Sequence, residues 1–174
     1  MPSVVFLRAV NVGRTNRCQP AIIATELSRF GVVNIGAVGT FVVREKVSEA
    51  TLRSAIANKL SFKCEIMICP ARDLVKLAGR NPFSEQPSNP TLTRFVSIAA
   101  KRLRTRLPTP LSLPAHDDWL LRVIVIEDRF VLGVYRREMK AISYLAKLEK
   151  QIGVPLTTRN WNTIERVLKI LEQS

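Results

Sequence analysis

Histidine and cysteine, the most common zinc ligands, are scarce in this sequence of 174 amino acids, which contains one histidine and three cysteines. Cys18, Cys64 and Cys69 form no CxxC pair, and His116 has no second histidine or cysteine near it in the sequence. A zinc site needs several such ligands close together. An odd number of cysteines without paired spacing is also more typical of a reducing compartment than of a disulfide framework. The sequence therefore predicts no metal site and no cofactor.

Long apolar stretches are absent as well. The run from Val123 to Ile126 is bounded by Arg122 and Glu127, whereas a membrane-spanning helix needs roughly 20 apolar residues. Residues 1–8 have no basic leader and no small-residue cleavage site, so they indicate a first strand rather than a signal peptide. We therefore expect a cytoplasmic protein that has no membrane partner. The sequence does not specify its oligomeric state.

Acidic residues are few, at 14 against 27 lysines and arginines, which gives a formal net charge of +13. The excess is spread over both halves of the chain instead of forming a basic tail. Such a charge favours anionic partners. Aromatic residues make up only 6% of the chain, and no predicted strand carries two outward aromatic side chains spaced for base stacking. This pattern argues against an RNA recognition motif.

The pattern of apolar residues and turn signals predicts an α+β fold. In residues 1–79, strands and helices alternate in the order βαββαβ, which is the ferredoxin-like pattern. Pro20 at a first helical position and Ser48 as an N-cap predict the starts of the two helices. We predict that these residues form an N-terminal subdomain.

Residues 80–174 predict a second and less regular α+β subdomain. A strand over 94–99 is followed by a basic, then proline-rich connection over 101–118 and by a hairpin over 120–136. Two helices at the C-terminal end complete the subdomain. The last helix is predicted from Ile164, Val167, Leu168 and Leu171, and residues 157–163 are interpreted as its opening.

The loop between the first strand and the first helix is the first candidate site. Its amides and cations converge where the helix dipole is positive, which favours an anion. Arg8 and Arg14 can form paired hydrogen bonds with phosphate or carboxylate oxygens, Asn11 adds a polar group, and Gly13 lets the backbone approach a ligand. The loop is not a P-loop, since the lysine and the terminal Ser/Thr are missing. The alternative is a solvated connection.

The segment before the last helix is the second candidate. Thr158 or Asn160 can cap that helix and Trp161 can pack on a core, so capping and anchoring explain them. Arg159 is left to reach an anion. We therefore add Arg159 and Asn160 to the predicted anion site, which would lie between the two subdomains.

A basic stretch supplies a third candidate. Four cations and no acid occur in residues 101–106, and this stretch either contacts nucleic-acid phosphates or is a solvated loop. The predicted nucleic-acid patch consists of Arg94, Lys101, Arg102, Arg104 and Arg106. Cys18 beside Arg17 is a weaker candidate, as a thiolate could be stabilised there.

Three segments carry a resemblance to a known family: LRAVNVGRTNR at the start, Asn81-Pro82-Phe83 in the middle, and IGVPLTTRNWNT at the end. In these the chain resembles the domain of unknown function 1697 family, which consists of uncharacterised bacterial proteins. The resemblance implies two ferredoxin-like α+β subdomains. It implies no activity and no catalytic residues.

The chain departs from that family's pattern at three places. Gly13-Arg14 stands where two glycines are usual, residues 38–40 replace Ser-Gly-Asn, and Ala141-Ile142 replace a Ser-Lys pair. A chemistry shared by the family would therefore be altered in this member. Arg14 instead adds positive charge to the first loop.

These observations leave three functional hypotheses. The leading one is a binding protein for an anionic partner, with nucleic acid favoured over a phosphorylated small molecule and with binding through charge rather than base reading. The second is an enzyme or small-ligand domain with its anion site between the subdomains. The third is an interaction module that dimerises through sheet edges. The sequence leaves open whether the protein is an enzyme and what its catalytic residues would be.

Overall fold

A computed structural model describes residues 1–86, 88–105 and 107–174. The chain divides into two compact units, each with its own antiparallel sheet. The first unit consists of Met1–Gly79 together with Thr163–Ser174, and the second consists of Arg80–Asn162. The predicted α+β class is confirmed. Residues 163–174, predicted as part of the C-terminal subdomain, are grouped by this division with the first unit.

The first unit contains a four-stranded sheet in the order β2-β3-β1-β4. Its strands are β1 (Ser3–Leu7), β2 (Val32–Ile35), β3 (Thr40–Val43) and β4 (Ile66–Pro70). All neighbouring pairs are antiparallel, and Val5 lies opposite both Phe41 and Ile68. β-branched and aromatic residues suit these strands because their stiff side chains pack well on a pleated surface.

Three helices accompany this sheet: α1 (Pro20–Glu26), α2 (Glu49–Ala57) and α3 (Ala71–Gly79). The hydroxyl of Ser48 accepts a hydrogen bond from the Thr51 amide and so caps α2, as predicted. Leu52 and Ile56 of α2 are buried in a core cluster with Phe41. The element order βαββαβ agrees with the sequence pattern, while the ferredoxin-like description of the two halves stays a prediction.

The second unit contains a five-stranded antiparallel sheet in the order β6-β7-β8-β5-β9. Its strands are β5 (Leu92–Ala99), β6 (Leu111–Leu113), β7 (Leu121–Glu127), β8 (Phe130–Arg136) and β9 (Leu156–Asn160). Helix α4 (Met139–Ile152) buries Leu148 and Ile152 in one cluster with Phe95 and Leu121. The predicted hairpin is present as β7 and β8, and Asp128 at its turn has a positive φ of 54°.

The segment before the last helix differs from its interpretation as a helix opening. Leu156–Asn160 is strand β9, and helix α5 (Trp161–Glu172) begins immediately after it. β9 pairs antiparallel with β5, so that Asn160 lies opposite Phe95 and Thr158 opposite Ser97. Pairing with a strand that is distant in sequence determines this conformation, because polar threonines and asparagines give no alternation of apolar residues that would indicate a strand.

Among the described residues, no helix is long and apolar enough to cross a membrane.

Candidate functional site

The first loop is held together by one asparagine side chain. Asn11 donates its Nδ2 to the carbonyl oxygens of Ala37, at 2.7 Å, and Cys18, at 3.1 Å, while its Oδ1 accepts from the Cys18 amide at 2.9 Å. Ala9, Asn11 and Gly13 have positive φ values of 55°, 56° and 61°. Backbone of this kind is costly for a residue such as Ala9 and persists where surrounding contacts enforce it. Asn11 therefore braces the loop.

The cations of the first loop lie at the surface of the first unit. Arg8 is half-buried, whereas Gly13, Arg14 and Arg17 are exposed. Arg17 donates a hydrogen bond to the carbonyl oxygen of Gly13 at 3.4 Å. The helix that follows, α1, is only seven residues long. Its dipole would therefore stabilise a bound anion only weakly.

Cys18 and Cys64 are half-buried against the core of the first unit. Burial raises the pKa of the Cys18 thiol, and burial is also the largest cause of the raised pKa of Cys64. The neighbouring Arg17 was expected to stabilise a thiolate, but desolvation acts in the opposite direction and prevails. Within the part of the chain that the structure describes, no three His, Cys, Asp or Glu side chains converge into a metal site.

In the second unit, three side chains from distant segments pack together in one cluster. Phe83 of the Asn-Pro-Phe turn meets Trp161 at the start of α5 edge to face, with ring centroids 5.0 Å apart. The guanidinium carbon of Arg94 on β5 lies 5.7 Å from the centroid of the Phe83 ring. Arg94 also donates a hydrogen bond to the carbonyl oxygen of Gln86 at 2.7 Å. Two of the sequence segments that carry the family resemblance thus meet around Arg94.

Beside this cluster is a small cleft of about 150 Å³, here named the Arg94 cleft. It lies where the beginning of β5, the end of β8 and the beginning of α5 come together. Its lining residues are Gln86, Ser88, Asn89, Pro90, Leu92, Thr93, Arg94, Val134, Arg137, Asn160 and Asn162. Most of these side chains carry hydrogen-bonding groups. The cleft therefore suits a polar ligand.

The charge of the Arg94 cleft is positive. Arg94 and Arg137 contribute two guanidinium groups, and none of the described residues that line the cleft is acidic. Asn160 caps α5, because its Oδ1 accepts from the Asn162 amide at 2.9 Å. A helix of twelve residues carries a partial positive charge at this end. An oxyanion in the cleft would meet the ordered guanidinium of Arg94, the exposed guanidinium of Arg137 and the positive end of a helix dipole.

Arg159 and Asn160, the two members of the predicted anion site that precede the last helix, have different environments. Asn160 is exposed and lines the Arg94 cleft, whereas Arg159 is only 7% exposed. Burial lowers the pKa of Arg159 to about 10. Its guanidinium donates a hydrogen bond to the carbonyl oxygen of Thr158 at 3.0 Å. Arg159 is therefore a buried residue of β9 and not an arm that extends into solvent.

The basic stretch borders a second cleft, of about 400 Å³, here named the Lys101 cleft. Its lining residues are Ala99, Ala100, Lys101, Arg102, Leu103, Arg104, Thr105, Ile152, Val154 and Pro155. The cations Lys101, Arg102 and Arg104 are exposed. None of the three forms an ion pair with another described residue. Arg106, the remaining member of the predicted patch, lies outside the described residues.

The structure thus regroups the predicted site residues. Arg94, from the predicted nucleic-acid patch, shares a cleft with Asn160, from the predicted anion site. Arg8, Asn11, Gly13 and Arg14 belong to the first unit, and Arg159 belongs to the second. Arg137, Asn162 and Gln86 also line the Arg94 cleft but are not among the site residues predicted from the sequence. Only Asn162 carried a signal, because it lies in the terminal segment quoted for the resemblance.

The fold and the clefts define an α+β protein with two antiparallel sheets and a polar, positively charged cleft in its second unit. The model of a family described as protein of unknown function (DUF1697) matches residues 1–111. The chain belongs to this family, as the resemblance in the sequence indicated.

One solved structure gives independent support for the fold. The conserved bacterial protein SP0830 from Streptococcus pneumoniae is similar to this chain with a TM-score of 0.63 and 14% sequence identity. The similarity covers 98% of each chain. At this identity the likeness concerns the fold alone. A comparison with curated proteins finds no match.

Proposed function

We propose that this protein binds a phosphorylated small molecule and that the Arg94 cleft receives its phosphate group. The observation that carries the proposal is the fixed position of the Arg94 guanidinium. The Gln86 carbonyl holds one of its nitrogens at 2.7 Å, and the Phe83 ring lies against it. A guanidinium that is already ordered loses little conformational entropy when it binds a ligand.

The chemistry of the lining matches a phosphate. Arginine offers N–H groups in a planar fork that fits two phosphate oxygens at once, and Arg94 and Arg137 both line the cleft. Asn162 adds an exposed side-chain amide at the start of α5. Together with the helix dipole, these groups are an arrangement that stabilises an oxyanion.

The size of the Arg94 cleft limits which part of a ligand can enter it. Sites that enclose an entire drug-sized ligand have volumes of about 300 to 1,000 Å³. The Arg94 cleft, at about 150 Å³, is smaller. It would therefore hold the charged group of a ligand, while the rest of the molecule lies outside the cleft. Binding of inorganic phosphate alone is then the minimal form of the proposed activity.

Nucleic acid remains the alternative anionic partner. In its favour, Lys101, Arg102 and Arg104 are exposed and have no ion pairs with other described residues. Against it, no aromatic residue lines either the Arg94 cleft or the Lys101 cleft, at least among the described residues. Proteins that bind single strands usually stack bases on aromatic rings. The cytoplasmic location and the site that combines Arg14 with Arg159 also stay predictions.

The test is a titration of the protein with inorganic phosphate, in which binding is detected by NMR chemical shifts or by calorimetry. We expect Arg137→Gln, an exposed substitution, to weaken phosphate binding by about tenfold, as loss of one charge-assisted hydrogen bond does. Arg94→Lys should weaken binding similarly, because lysine keeps the charge but loses the planar fork. The matched control is Lys150→Gln, which removes one exposed charge from the same unit outside the cleft.

An equal loss of affinity in Arg137→Gln and Lys150→Gln would contradict the proposal, because binding would then depend on net charge and not on the cleft. An oligonucleotide titration at low salt tests the alternative. If nucleic acid is the partner, substitution of Lys101, Arg102 and Arg104 by glutamine should reduce the affinity for the oligonucleotide. It should also make that affinity less dependent on salt concentration.

A further inference from the structure

The lining of the Lys101 cleft combines aliphatic side chains, here called its floor, with exposed cations, here called its rim. Leu103, Ile152, Val154 and Pro155 supply the apolar surface, and Lys101, Arg102 and Arg104 supply the charge. Val154 is 41% exposed. The cleft is separate from the Arg94 cleft, with which it shares no lining residue.

Both walls of the Lys101 cleft are fixed by backbone hydrogen bonds. On one side, the Ala99 amide donates to the Arg129 carbonyl at 2.9 Å and the Leu103 amide donates to the Asp128 carbonyl at 2.7 Å. On the other side, α4 ends at Ile152 and is followed by Gly153, whose φ of 85° turns the chain sharply. Glycine tolerates this left-handed conformation, and the turn leaves Val154 at the surface. The concavity is thus built into the fold of the second unit.

The charge of the cationic rim is not balanced by any acidic residue among the described residues of the cleft lining. The last carbonyl groups of α4 carry roughly half a negative charge, which nearby cations can offset. Three cations line the cleft, and none of its described lining residues is acidic. A net positive charge therefore remains beside the aliphatic floor. The positive charge favours an anionic group, and the apolar floor favours a ligand in which an apolar group is attached to that anion.

We propose that the Lys101 cleft binds an aliphatic carboxylate, with its chain on Leu103, Ile152 and Val154 and its carboxylate at the cationic rim. The volume of about 400 Å³ lies within the range of about 300 to 1,000 Å³ that is typical of small-molecule sites. A nucleic-acid backbone would satisfy the cations but leave the floor exposed to water, and no aromatic residue among those described in the lining could stack a base. An unbranched aliphatic chain covers the apolar floor better than a nucleic-acid backbone does, since each methylene group that it buries there adds to affinity.

The experiment uses decanoate, below the concentration at which it forms micelles, titrated into the full-length protein and followed by NMR. Acetate carries the charge without the chain, and decanol carries the chain without the charge. We expect decanoate to bind at least tenfold more tightly than either. Equal binding of decanoate and decanol would overturn the proposal, as would equal binding of decanoate and acetate.

Two variants locate the site. Replacement of Lys101, Arg102 and Arg104 by glutamine should weaken decanoate binding at least fivefold, and so should Val154→Asp, which places a negative charge on the floor. Controls of equal charge change are glutamine at Arg44, Lys46 and Lys76, which are exposed cations of the first unit, and Val75→Asp, an exposed valine of α3. If the controls weaken binding as much as the cleft variants, the proposal is wrong.

The result is independent of the proposed phosphate site. Val154→Asp should leave phosphate binding unchanged, and Arg137→Gln should leave decanoate binding unchanged. If an oligonucleotide displaces decanoate and binds more tightly in a manner that depends on the rim cations, the cleft belongs to nucleic acid, and the proposal of an aliphatic carboxylate is overturned.

Discussion

At the scale of single residues, two arginines on adjacent strands show how environment divides one residue type. Arg94 is half-buried, fixed by Gln86 and Phe83, and lines a polar cleft. Arg159 is 7% exposed, and burial lowers its pKa to about 10. An ordered guanidinium that still borders solvent is available to a ligand, whereas a buried one mainly serves the packing of its strand. The proposed function therefore depends on Arg94.

Gly133 on β8 shows how closely the second sheet is packed. A Cβ atom added there would meet the carbonyl oxygen of Arg122 on β7 and would lie 2.9 Å from the Phe95 ring. Neither the backbone of a central strand nor a buried ring can move away cheaply. We expect Gly133→Ala to lower the free energy of unfolding by about 3 kcal/mol, measured by urea denaturation.

The control for this substitution is Gly79→Ala. Gly79 is the last residue of α3, and a Cβ atom there meets nothing within 4 Å. Alanine should change stability by no more than about 1 kcal/mol, in the stabilising direction, because it restricts the unfolded chain. If Gly133→Ala left the free energy of unfolding unchanged, β7, β8 and β5 would not be packed as closely around Gly133 as described.

At the scale of secondary-structure elements, α2 depends on a single capping hydroxyl. The Ser48 Oγ accepts from the Thr51 amide at 3.1 Å, and the helix buries Leu52 and Ile56. Ser48→Ala should reduce the free energy of unfolding by about 1 kcal/mol, while Ser48→Asp should retain most of it. Ser54→Ala, within the same helix, is the control and should be neutral or slightly stabilising. Equal loss in the Ser48 and Ser54 variants would refute the role of the cap.

Elements with a strong local signal could be predicted from the sequence. Pro20, Ser48 and the apolar spacing of α5 indicated helices that the structure contains, and the hairpin predicted over 120–136 is present as β7 and β8. β6 has three residues inside a proline-rich connection, too few for a periodic pattern. β9 is polar and becomes a strand only through its pairing with β5.

The candidate site was harder to predict than the fold. The sequence pointed to Arg94 and Asn160 separately, for different reasons and in different candidate sites. Nothing local indicates that Phe83 packs on Trp161, or that Arg137 at the end of β8 lines the same cleft. Such a site is made by strand pairing and by contacts between distant segments, and a search for local motifs does not detect these.

At the scale of the whole molecule, the charge of +13 attracts any anion and therefore cannot by itself identify a ligand. Attraction between an anion and charges spread over the surface is screened beyond a Debye length of about 8 Å at physiological salt. Hydrogen bonds to an ordered guanidinium in a cleft are screened less. Phosphate binding that persists at physiological salt would separate the Arg94 cleft from the general basic surface.

The measurement that tests this account most directly is a crystal structure of the protein grown or soaked in phosphate. We predict phosphate within hydrogen-bond distance of the guanidinium groups of Arg94 and Arg137, at the start of α5, with the Arg94 hydrogen bond to Gln86 retained. A crystal in which this cleft is open to solvent and holds no phosphate at saturating concentration, while the anion binds to scattered surface cations, would contradict the account.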